Sequence, residues 1–365
     1  MSASPLVVRG LQATCVEVPM TYALGTSRGR ITAAPLLLLD LQTEQGITGH
    51  AYIFCYVRAA GPAIAKVLGH VETLVKGDLV VPLELSSKLA MRFALMGVQG
   101  IVRMAAAALD VATWDALAVA AGLPLARLLG AQPTPIPAYN SCGLGLMDDL
   151  HELADEAEKL VGRGFRAIKL RLGYPTARRD LAALQAVRKR IGGDIAVMVD
   201  YNQALSVAEA LERGRLLDAE NVVWIEEPIR HDDYAGCARL ARELKTPVQL
   251  GENFSGSPAM ATALSLEACD FVMPDLERIG GVSGWQCAAA LATVHGVEMS
   301  SHLFPEVSAH LLAATPTRHF LEYVDWADKI VQRPLRIVDG NAIVADQPGN
   351  GLVWDAAAVK HYRME

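Results

Sequence analysis

Three acidic residues, 26 positions apart, each close an apolar run, and this pattern limits the possible fold more than any other feature. Asp200 ends AVMVD, Glu226 ends VVWIE and Glu252 ends VQLGE. Short runs rich in β-branched residues, without polar alternation, are typical of buried parallel strands. The segments between them are long enough for one helix each. We interpret the pattern as neighbouring units of a (β/α) barrel, which holds its chemistry at the C-terminal ends of the strands.

The three carboxylates would repel one another at one rim of a barrel unless a cation lay between them. Mg²⁺ prefers oxygen ligands and keeps positions free for water and substrate. We therefore predict a magnesium site formed by Asp200, Glu226 and Glu252. The alternative is a set of loop acids at chance spacing, which the equal intervals and the matching strand ends disfavour.

Eight apolar runs follow the Pro-rich segment 131–137, and eight is the number of strands that closes a barrel. We predict an α/β fold in which residues 131–325 form a TIM-type (β/α)8 barrel. Residues 1–130 are expected to form an α+β capping domain, on which the C-terminal segment 326–365 packs back. Within the cap, we predict strands at 6–18, 35–41 and in 43–54, with helical stretches at 58–76 and 83–122. The predicted barrel strands are 136–140, 165–171, 195–200, 222–227, 247–252, 270–275, 297–301 and 319–323.

Composition excludes several classes of function. The net charge of −7 argues against a nucleic-acid surface or a polybasic membrane patch. The sequence contains no run of 18 apolar residues, so we expect no transmembrane helix. The N-terminus lacks the basic and apolar regions of a signal peptide. Six scattered cysteines without a C-x-x-C pair indicate reduced thiols. We expect a cytoplasmic protein with a small-molecule partner and no nucleic-acid or membrane partner.

The other predicted barrel strands also end in polar residues. Lys169 and Arg171 are two positions apart in FRAIKLRL, so both side chains face the same side of a strand. Each residue alone has a simpler explanation, such as a helix N-cap for an aspartate or a buried core histidine. Because these polar residues all lie at the ends of successive predicted strands, we interpret them together as one active-site rim. The remaining members are Asn202, Asp275, His302 and Glu322.

The segment 20–33 lies between the first two predicted strands and has two candidate roles. It contains Gly25 and Gly29 and shows no strong periodicity. It is either a plain surface connector or a lid over the rim, since glycine hinges and polar tips suit a lid.

In order along the chain, these motifs resemble those of the enolase superfamily, mandelate racemase subgroup. The resemblance spans nearly the whole chain and implies a modified (β/α)7β barrel under an α+β cap. It also implies a homo-oligomer that uses Mg²⁺ to remove the α-proton of a 2-hydroxy carboxylate. The residues that carry it are IVRMAAAALDVATWDAL (101–117), VDYNQ, WIEEP, GEN, MPD, IGGVSGW and SSHLFPEVSAHLLAATPT.

The same resemblance implies roles for individual residues. His302 would be an acid/base with Asp275 as its hydrogen-bonding partner. Lys169 would neutralise the substrate carboxylate, and a protonated Glu322 would donate a hydrogen bond to it. Asp200, Glu226 and Glu252 would be the magnesium ligands. The implied substrate-binding residues are Leu24, Arg28, Ile31, Phe54, Tyr56, Ser141, Asn202 and Leu303.

One position departs from the pattern of the subgroup. Mandelate racemases have K-x-K, in which the second lysine is the base opposite the histidine, whereas this chain has Lys169-Leu170-Arg171. Arginine keeps its proton and accepts another poorly. Overall resemblance favours a racemase with Arg171 as a desolvated base. The alternatives are an acid-sugar dehydratase that uses only the His302–Asp275 dyad, and a sugar-acid binding protein without turnover.

Overall fold

The structure, a computed structural model, describes residues 5–364 and has two parts. The elements of the first part are β1 (Val8–Thr26), β2 (Gly29–Thr43), β3 (Thr48–Phe54), α1 (Ala60–Val75), α2 (Pro82–Arg92), α3 (Gly100–Ala121) and α4 (Leu125–Leu128). The three strands form an antiparallel sheet in the order β1–β2–β3, against which the helices pack. This part confirms the α+β capping domain. The stretch 83–122 contains two helices separated by residues 93–99 rather than one.

Helix α3 is the core helix of the capping domain. By length and composition alone it is apolar enough to cross a membrane, but 61% of its most apolar window is buried inside the protein. Its packing against β3 is close, because a Cβ atom on Gly49 would lie 1.9 Å from the carbonyl oxygen of Ala112. Its buried Asp115 accepts a hydrogen bond from the backbone N–H of His50 at 2.7 Å. Together these contacts fix α3 against the sheet.

The second part is the barrel. Its strands are β4 (Ile136–Asn140), β5 (Ala167–Arg171), β6 (Ala196–Asp200), β7 (Ile225–Glu226), β8 (Val248–Leu250), β9 (Phe271–Val272), β10 (Glu298–Met299) and β11 (Leu321–Tyr323). Each of β4 to β9 pairs in parallel with the next strand along the chain, and β11 pairs in parallel with β4. The backbone N–H of Ser301 donates to the carbonyl of Phe320 at 3.0 Å, which joins the segments around β10 and β11. The eight predicted strands are confirmed, although several are shorter than expected.

Helices follow the first seven barrel strands. They are α5 (Leu150–Val161), α6 (Ala177–Ile191), α7 (Val207–Leu217), α8 (Tyr234–Glu243), α9 (Ser257–Ser265), α10 (Leu276–Ile279), α11 (Gly281–His295) and α12 (Pro305–Ala313). Within residues 5–364, β11 is followed by a further strand rather than a helix. The architecture is therefore the (β/α)7β barrel that the resemblance implies.

The segment 20–33, for which we expected either a surface connector or a lid loop, is not irregular but paired. Strands β1 and β2 pair as far as Thr26 and Gly29, so the segment is the tip of a long hairpin with a two-residue turn. The register is irregular between Pro19 and Leu24. That irregularity interrupts the alternation of polar and apolar side chains, which is why no strand is visible in the sequence there.

The C-terminal tail contacts both parts of the molecule. Its hairpin, β12 (Arg336–Val338) and β13 (Asn341–Ile343), adds to the barrel because β13 pairs antiparallel with β4. Later in the tail, Trp354 Nε1 donates to Asp40 Oδ1 of the cap at 2.7 Å. The last helix, α13 (Ala356–Tyr362), lies against β1. The structure thus differs from the expectation in placing the hairpin on the barrel, where β13 pairs with Ile136 and Pro137 at the start of β4.

Candidate active site

Three carboxylates meet at the C-terminal rim of the barrel. Asp200 ends β6, Glu226 ends β7 and Glu252 follows β8 by two residues. One carboxylate oxygen of each lies within 4.8 Å of the other two, so the set is compact enough to share one cation. Asp200 and Glu226 are buried, while Glu252 is partly exposed.

The electrostatics of this triad fit a divalent metal ion. Burial raises the pKa of Glu226 to about 8; Lys169 opposes this rise, and Asp200 adds to it by repulsion. Burial likewise raises the pKa of Asp200, an effect that Lys169 again opposes and Glu252 reinforces. Three crowded carboxylates can all be ionised when a doubly charged ion lies among them, and an all-oxygen donor set suits Mg²⁺. The residues present therefore fit a magnesium site.

Lys169 lies beside the triad. Its Nζ is 2.6 Å from Glu226 Oε1, 2.7 Å from Glu322 Oε1 and 3.5 Å from Asp200 Oδ2. Burial by itself lowers the pKa of Lys169, but the surrounding carboxylates outweigh it and raise that pKa above its ordinary value. The side chain is therefore a fixed cation at the centre of the rim.

His302 and Asp275 form a hydrogen-bonded dyad. Nδ1 of His302 lies 2.7 Å from Asp275 Oδ2, and Nε2 lies 3.3 Å from Glu252 Oε2. Asp275 also caps α10, because its Oδ1 accepts from the backbone N–H groups of Glu277 and Arg278 at 2.9 and 3.0 Å. The helix cap and the dyad are thus two functions of one side chain. Burial lowers the pKa of His302, but the nearby carboxylates and hydrogen bonds raise it well above its ordinary value.

Glu322 differs from the expectation of a protonated acid. Its Oε1 contacts Lys169, and its Oε2 accepts from the backbone N–H of Leu303 at 2.8 Å. Although burial raises the pKa of Glu322, Lys169 and His302 lower it to about 2. In this arrangement Glu322 is ionised, because both of its oxygens face donors.

Arg171 is buried, and its hydrogen bonds hold it in one position. One terminal nitrogen donates to the carbonyls of Ser141 and Gly143, each at 2.8 Å. The other donates to Ser141 Oγ at 2.9 Å. Ser141 therefore holds Arg171 in place and lies outside the lining of the pocket. Asn202, in contrast, lines the pocket and donates from Nδ2 to Asp200 Oδ2 at 2.9 Å, so it orients a carboxylate of the triad.

A cavity of about 450 Å³ opens above these groups, between the rim and the hairpin tip. Most predicted site residues line it, while Ser141, Glu226 and Asp275 lie behind the lining. The predicted residues in the lining are Leu24, Arg28, Ile31, Phe54, Tyr56, Lys169, Arg171, Asp200, Asn202, Glu252, His302, Leu303 and Glu322.

The structure adds lining residues that we did not predict. The largest is Trp326, whose ring centroid lies 4.6 Å from that of Phe54, itself 4.5 Å from Tyr56. These three rings form the aromatic wall of the pocket. Trp326 lies beyond the end of β11, and no pattern in the sequence marks it as a lining residue. The other additional lining residues are Thr26, Gly29, Arg30 and Gln203.

The hairpin tip contacts the barrel directly. A terminal nitrogen of Arg28 donates to the backbone carbonyl of Gln203, in the loop after β6, at 2.6 Å. On β1, just before the turn, the carbonyl of Gly25 accepts a hydrogen bond from the backbone N–H of Leu146 at 3.0 Å. A Cβ atom on Gly145 would lie 2.5 Å from the Gly25 backbone, so the close approach requires glycine there. Arg28 thus fastens the tip over the pocket, and Arg30 is exposed on the same tip.

Two family models match most of the chain. The model described as "Enolase C-terminal domain-like" matches residues 152–358. The model described as "Mandelate racemase / muconate lactonizing enzyme, N-terminal domain" matches residues 9–130. The two matches follow the division between barrel and cap.

Solved structures and a curated relative are similar over nearly the whole chain. An enolase from alpha proteobacterium BAL199 with bound magnesium is 42% identical, with a TM-score of 0.96, over 98% of this chain and 100% of that one. An enolase from Bradyrhizobium complexed with magnesium and mandelic acid is 39% identical, with a TM-score of 0.94, over 100% of both chains. The L-talarate/galactarate dehydratase of Salmonella typhimurium is 31% identical over 90% of this chain and 82% of its own length.

Proposed function

The chain belongs to the mandelate racemase / muconate lactonizing enzyme family of the enolase superfamily, and on that premise we propose that it dehydrates a polyhydroxylated acid. The superfamily's shared step, magnesium-dependent removal of the proton α to a carboxylate, is the step that this site is equipped to perform. The finer assignment depends on how many bases face the substrate.

The position of Arg171 is the observation that carries the proposal. Racemization requires a base on each face of the α-carbon, and His302 supplies one of them. On the other face lies Arg171, and both of its terminal nitrogens donate to oxygen acceptors. Arginine is the one basic side chain that stays protonated in proteins, whereas a lysine at this position could lose its proton. A guanidinium cation offers no lone pair that could take up the α-proton. Chemistry with one base is therefore favoured.

In our proposal, the charged residues of the rim hold the substrate carboxylate. Lys169 and Glu322 lie together where that carboxylate would bind, so Lys169 neutralises it. A second carboxylate beside Glu322 favours protonation of Glu322, which then donates a hydrogen bond. Asp200, Glu226 and Glu252 would hold a magnesium ion, which would supply positive charge close to the substrate oxygens on which negative charge develops. Each of these interactions strengthens as negative charge develops, which lowers the barrier.

His302 carries the proton through the reaction. A metal ion on Glu252 would offset part of the negative charge that raises the pKa of His302, which would free Nε2 to act as a base. Nε2 faces the pocket and takes the α-proton while Asp275 holds the ring by Nδ1. The electron pair of the broken C–H bond forms the enediolate, which then expels the β-hydroxyl group. His302 returns the proton to that departing hydroxyl, so water leaves. The remaining enol tautomerises to a 2-oxo-3-deoxy acid, and neither oxidant nor reductant is required.

A second candidate, racemization of a mandelate-like acid, is supported by the apolar character of the pocket. Leu24, Ile31 and the wall of Phe54 and Trp326 offer contact surface for an aryl group. The similar Bradyrhizobium enolase binds mandelic acid. A binding protein without turnover has no comparable support, because the site retains the groups for proton abstraction.

Exchange of the α-hydrogen in D2O distinguishes the candidates. The enzyme with Mg²⁺ is incubated separately with (R)-mandelate, (S)-mandelate and a library of aldonic and aldaric acids. Proton NMR follows loss of the α-proton, and semicarbazide detects 2-oxo acids. We expect a 2-oxo acid from at least one acid sugar and no interconversion of the mandelates. Interconversion of both enantiomers would establish a second base and would overturn the proposal.

The variant Arg171→Lys tests whether supplying a second base allows the enzyme to interconvert the mandelates. Lysine restores the K-x-K pattern and supplies a nitrogen that can lose its proton when desolvated. We expect mandelate interconversion to rise from background to a measurable rate, by about 10-fold or more, while 2-oxo acid formation falls. Chiral chromatography measures the first effect and the semicarbazide assay the second. Arg171→Met, which supplies no base, is the matched control and should show no gain.

A further inference from the structure

We propose that Arg278 is a positioning residue that holds the metal ligand Glu252 in its orientation and links it to the aromatic wall of the capping domain. Arg278 belongs to the single turn of α10, immediately after the dyad residue Asp275. Orientation of the metal ligand does not depend on which reaction follows α-proton removal.

Arg278 reaches Glu252 by two routes. One terminal nitrogen donates to the backbone carbonyl of Glu252 at 2.8 Å and to Asn253 Oδ1 at 2.6 Å. Asn253 Nδ2 then donates to Glu252 Oε1 at 3.0 Å and to Glu227 Oε2 at 2.8 Å. Both the backbone and the carboxylate of the metal ligand are therefore restrained by the chain of contacts that begins at Arg278.

The chemistry of arginine fixes the orientation of the Asn253 amide. A guanidinium only donates hydrogen bonds, so Oδ1 of Asn253 must face it and Nδ2 must face the carboxylates. Without the guanidinium, Oδ1 of Asn253 and the backbone carbonyl of Glu252 both lose their donor. The amide and the Glu252 carboxylate would then remain bonded to each other but would no longer be held in one position relative to α10.

The other face of Arg278 lies on the capping domain. Its guanidinium centre is 4.7 Å from the ring centroid of Tyr56, which lines the pocket. Tyr56 has a φ of 59°, a left-handed conformation that is unusual for a bulky residue, so the stacking restrains a strained position. The neighbouring Glu277 accepts from the backbone N–H of Phe54 at 2.5 Å. The turn of α10 thus connects the wall, the metal ligand and the dyad.

The test measures metal binding without substrate. Mn²⁺, a paramagnetic ion that accepts the same carboxylate ligands, is titrated into the enzyme and the free ion is followed by electron paramagnetic resonance. We expect Arg278→Met to weaken Mn²⁺ binding by about 10- to 100-fold, the usual effect of removing a group that orients a metal ligand. Arg278→Lys, which keeps the charge and part of the donor capacity, should give an intermediate value.

Arg213 is the matched control. Its buried guanidinium donates to the Tyr174 carbonyl at 2.8 Å and to Asp180 Oδ2 at 2.6 Å, but it lies on α7 outside the pocket. Arg213→Met should lower the melting temperature and leave Mn²⁺ affinity unchanged. Wild-type affinity in Arg278→Met, or an equal loss in Arg213→Met, would overturn the proposal.

The variant Tyr56→Leu tests the connection to the wall. It removes the aromatic face and leaves the guanidinium contacts with Glu252 and Asn253. If the wall restrains Arg278, Tyr56→Leu should weaken Mn²⁺ binding severalfold, with little further effect in the Arg278→Met background. Additive effects, or no effect of Tyr56→Leu, would contradict that part of the inference.

Discussion

The pocket and the seam between α12 and α4 each bury a histidine, and the two histidines behave in opposite ways. His302 faces Asp275 and Glu252, and its pKa is raised well above the ordinary value even though burial opposes the rise. His310, eight residues later, accepts a hydrogen bond at Nδ1 from the backbone N–H of Ala126 at 3.2 Å. Burial lowers its pKa to about 4. The partners, rather than burial, therefore decide which histidine can hold a proton.

Removal of the metal should reduce α-proton exchange more than any other change. It should affect the pocket and leave the seam between α12 and α4 unchanged. The triad of Asp200, Glu226 and Glu252 needs a divalent cation, whereas the seam does not contain these carboxylates. Dialysis against EDTA should abolish α-proton exchange, and added Mg²⁺ should restore it. NMR measures exchange, and circular dichroism before and after dialysis checks that the fold is retained. Full exchange in the chelated enzyme would rule out the proposed role of the triad.

Exchanging each histidine for asparagine compares the two regions directly. His302→Asn removes the base and should reduce α-proton exchange by about 10²- to 10⁴-fold. His310→Asn changes a side chain outside the pocket and should retain exchange within a few-fold of wild type. Both variants are measured by NMR at equal concentrations of folded protein. Comparable losses in the two would mean that the pocket histidine has no special role.

The pH dependence of the free energy of unfolding should report the titration of His310, the histidine buried in the seam. The folded pKa of His310 is depressed, so its neutral form contributes stability above pH 6.5 that is lost as the pH falls towards 4. A shift of about 2.5 units corresponds to about 3 kcal/mol. Urea unfolding at pH 7 and pH 4 should show a smaller loss of stability in His310→Gln than in wild type. An equal loss in both would place the titration elsewhere.

The comparison between variant and wild type is needed because other buried groups act in the opposite direction. Burial raises the pKa of Asp110 and of Asp115 to about 6. Their neutral forms stabilise the fold as the pH falls through 6, which offsets part of the loss at His310. Only the difference between the two proteins isolates the histidine.

The carboxylate triad and the barrel could be predicted because their signals are local in the sequence. Asp200, Glu226 and Glu252 each follow an apolar run, and parallel strands bring such ends to one rim whatever the details of the loops. Asp275 and His302 were placed on the rim for the same reason, while their pairing was implied by the resemblance to the enolase superfamily. Most of the candidate site could therefore be predicted from residues at the ends of strands.

Features that depend on contacts between distant segments could not be predicted. The sequence shows that residue 171 is an arginine, but not that Ser141 and Gly143 hold its nitrogens. The hairpin tip was missed because irregular pairing between Pro19 and Leu24 interrupts the strand pattern. Trp326 reaches the wall only because the chain turns after β11, and no periodicity records that turn.

Entry of the substrate and its chemistry depend on different parts of the molecule, because the hairpin tip covers the pocket while the reacting groups lie on the barrel. The tip is a continuation of two paired strands, joined to the barrel through Arg28 and Gln203 and through Gly25 and Leu146. Because its two strands are hydrogen-bonded to each other, the tip would move as a unit, and opening the pocket to solvent would require these few contacts to part together. Grafting a tip of another length or charge should therefore change which acids gain access. The groups that handle the proton, anchored in the barrel, would remain as they are.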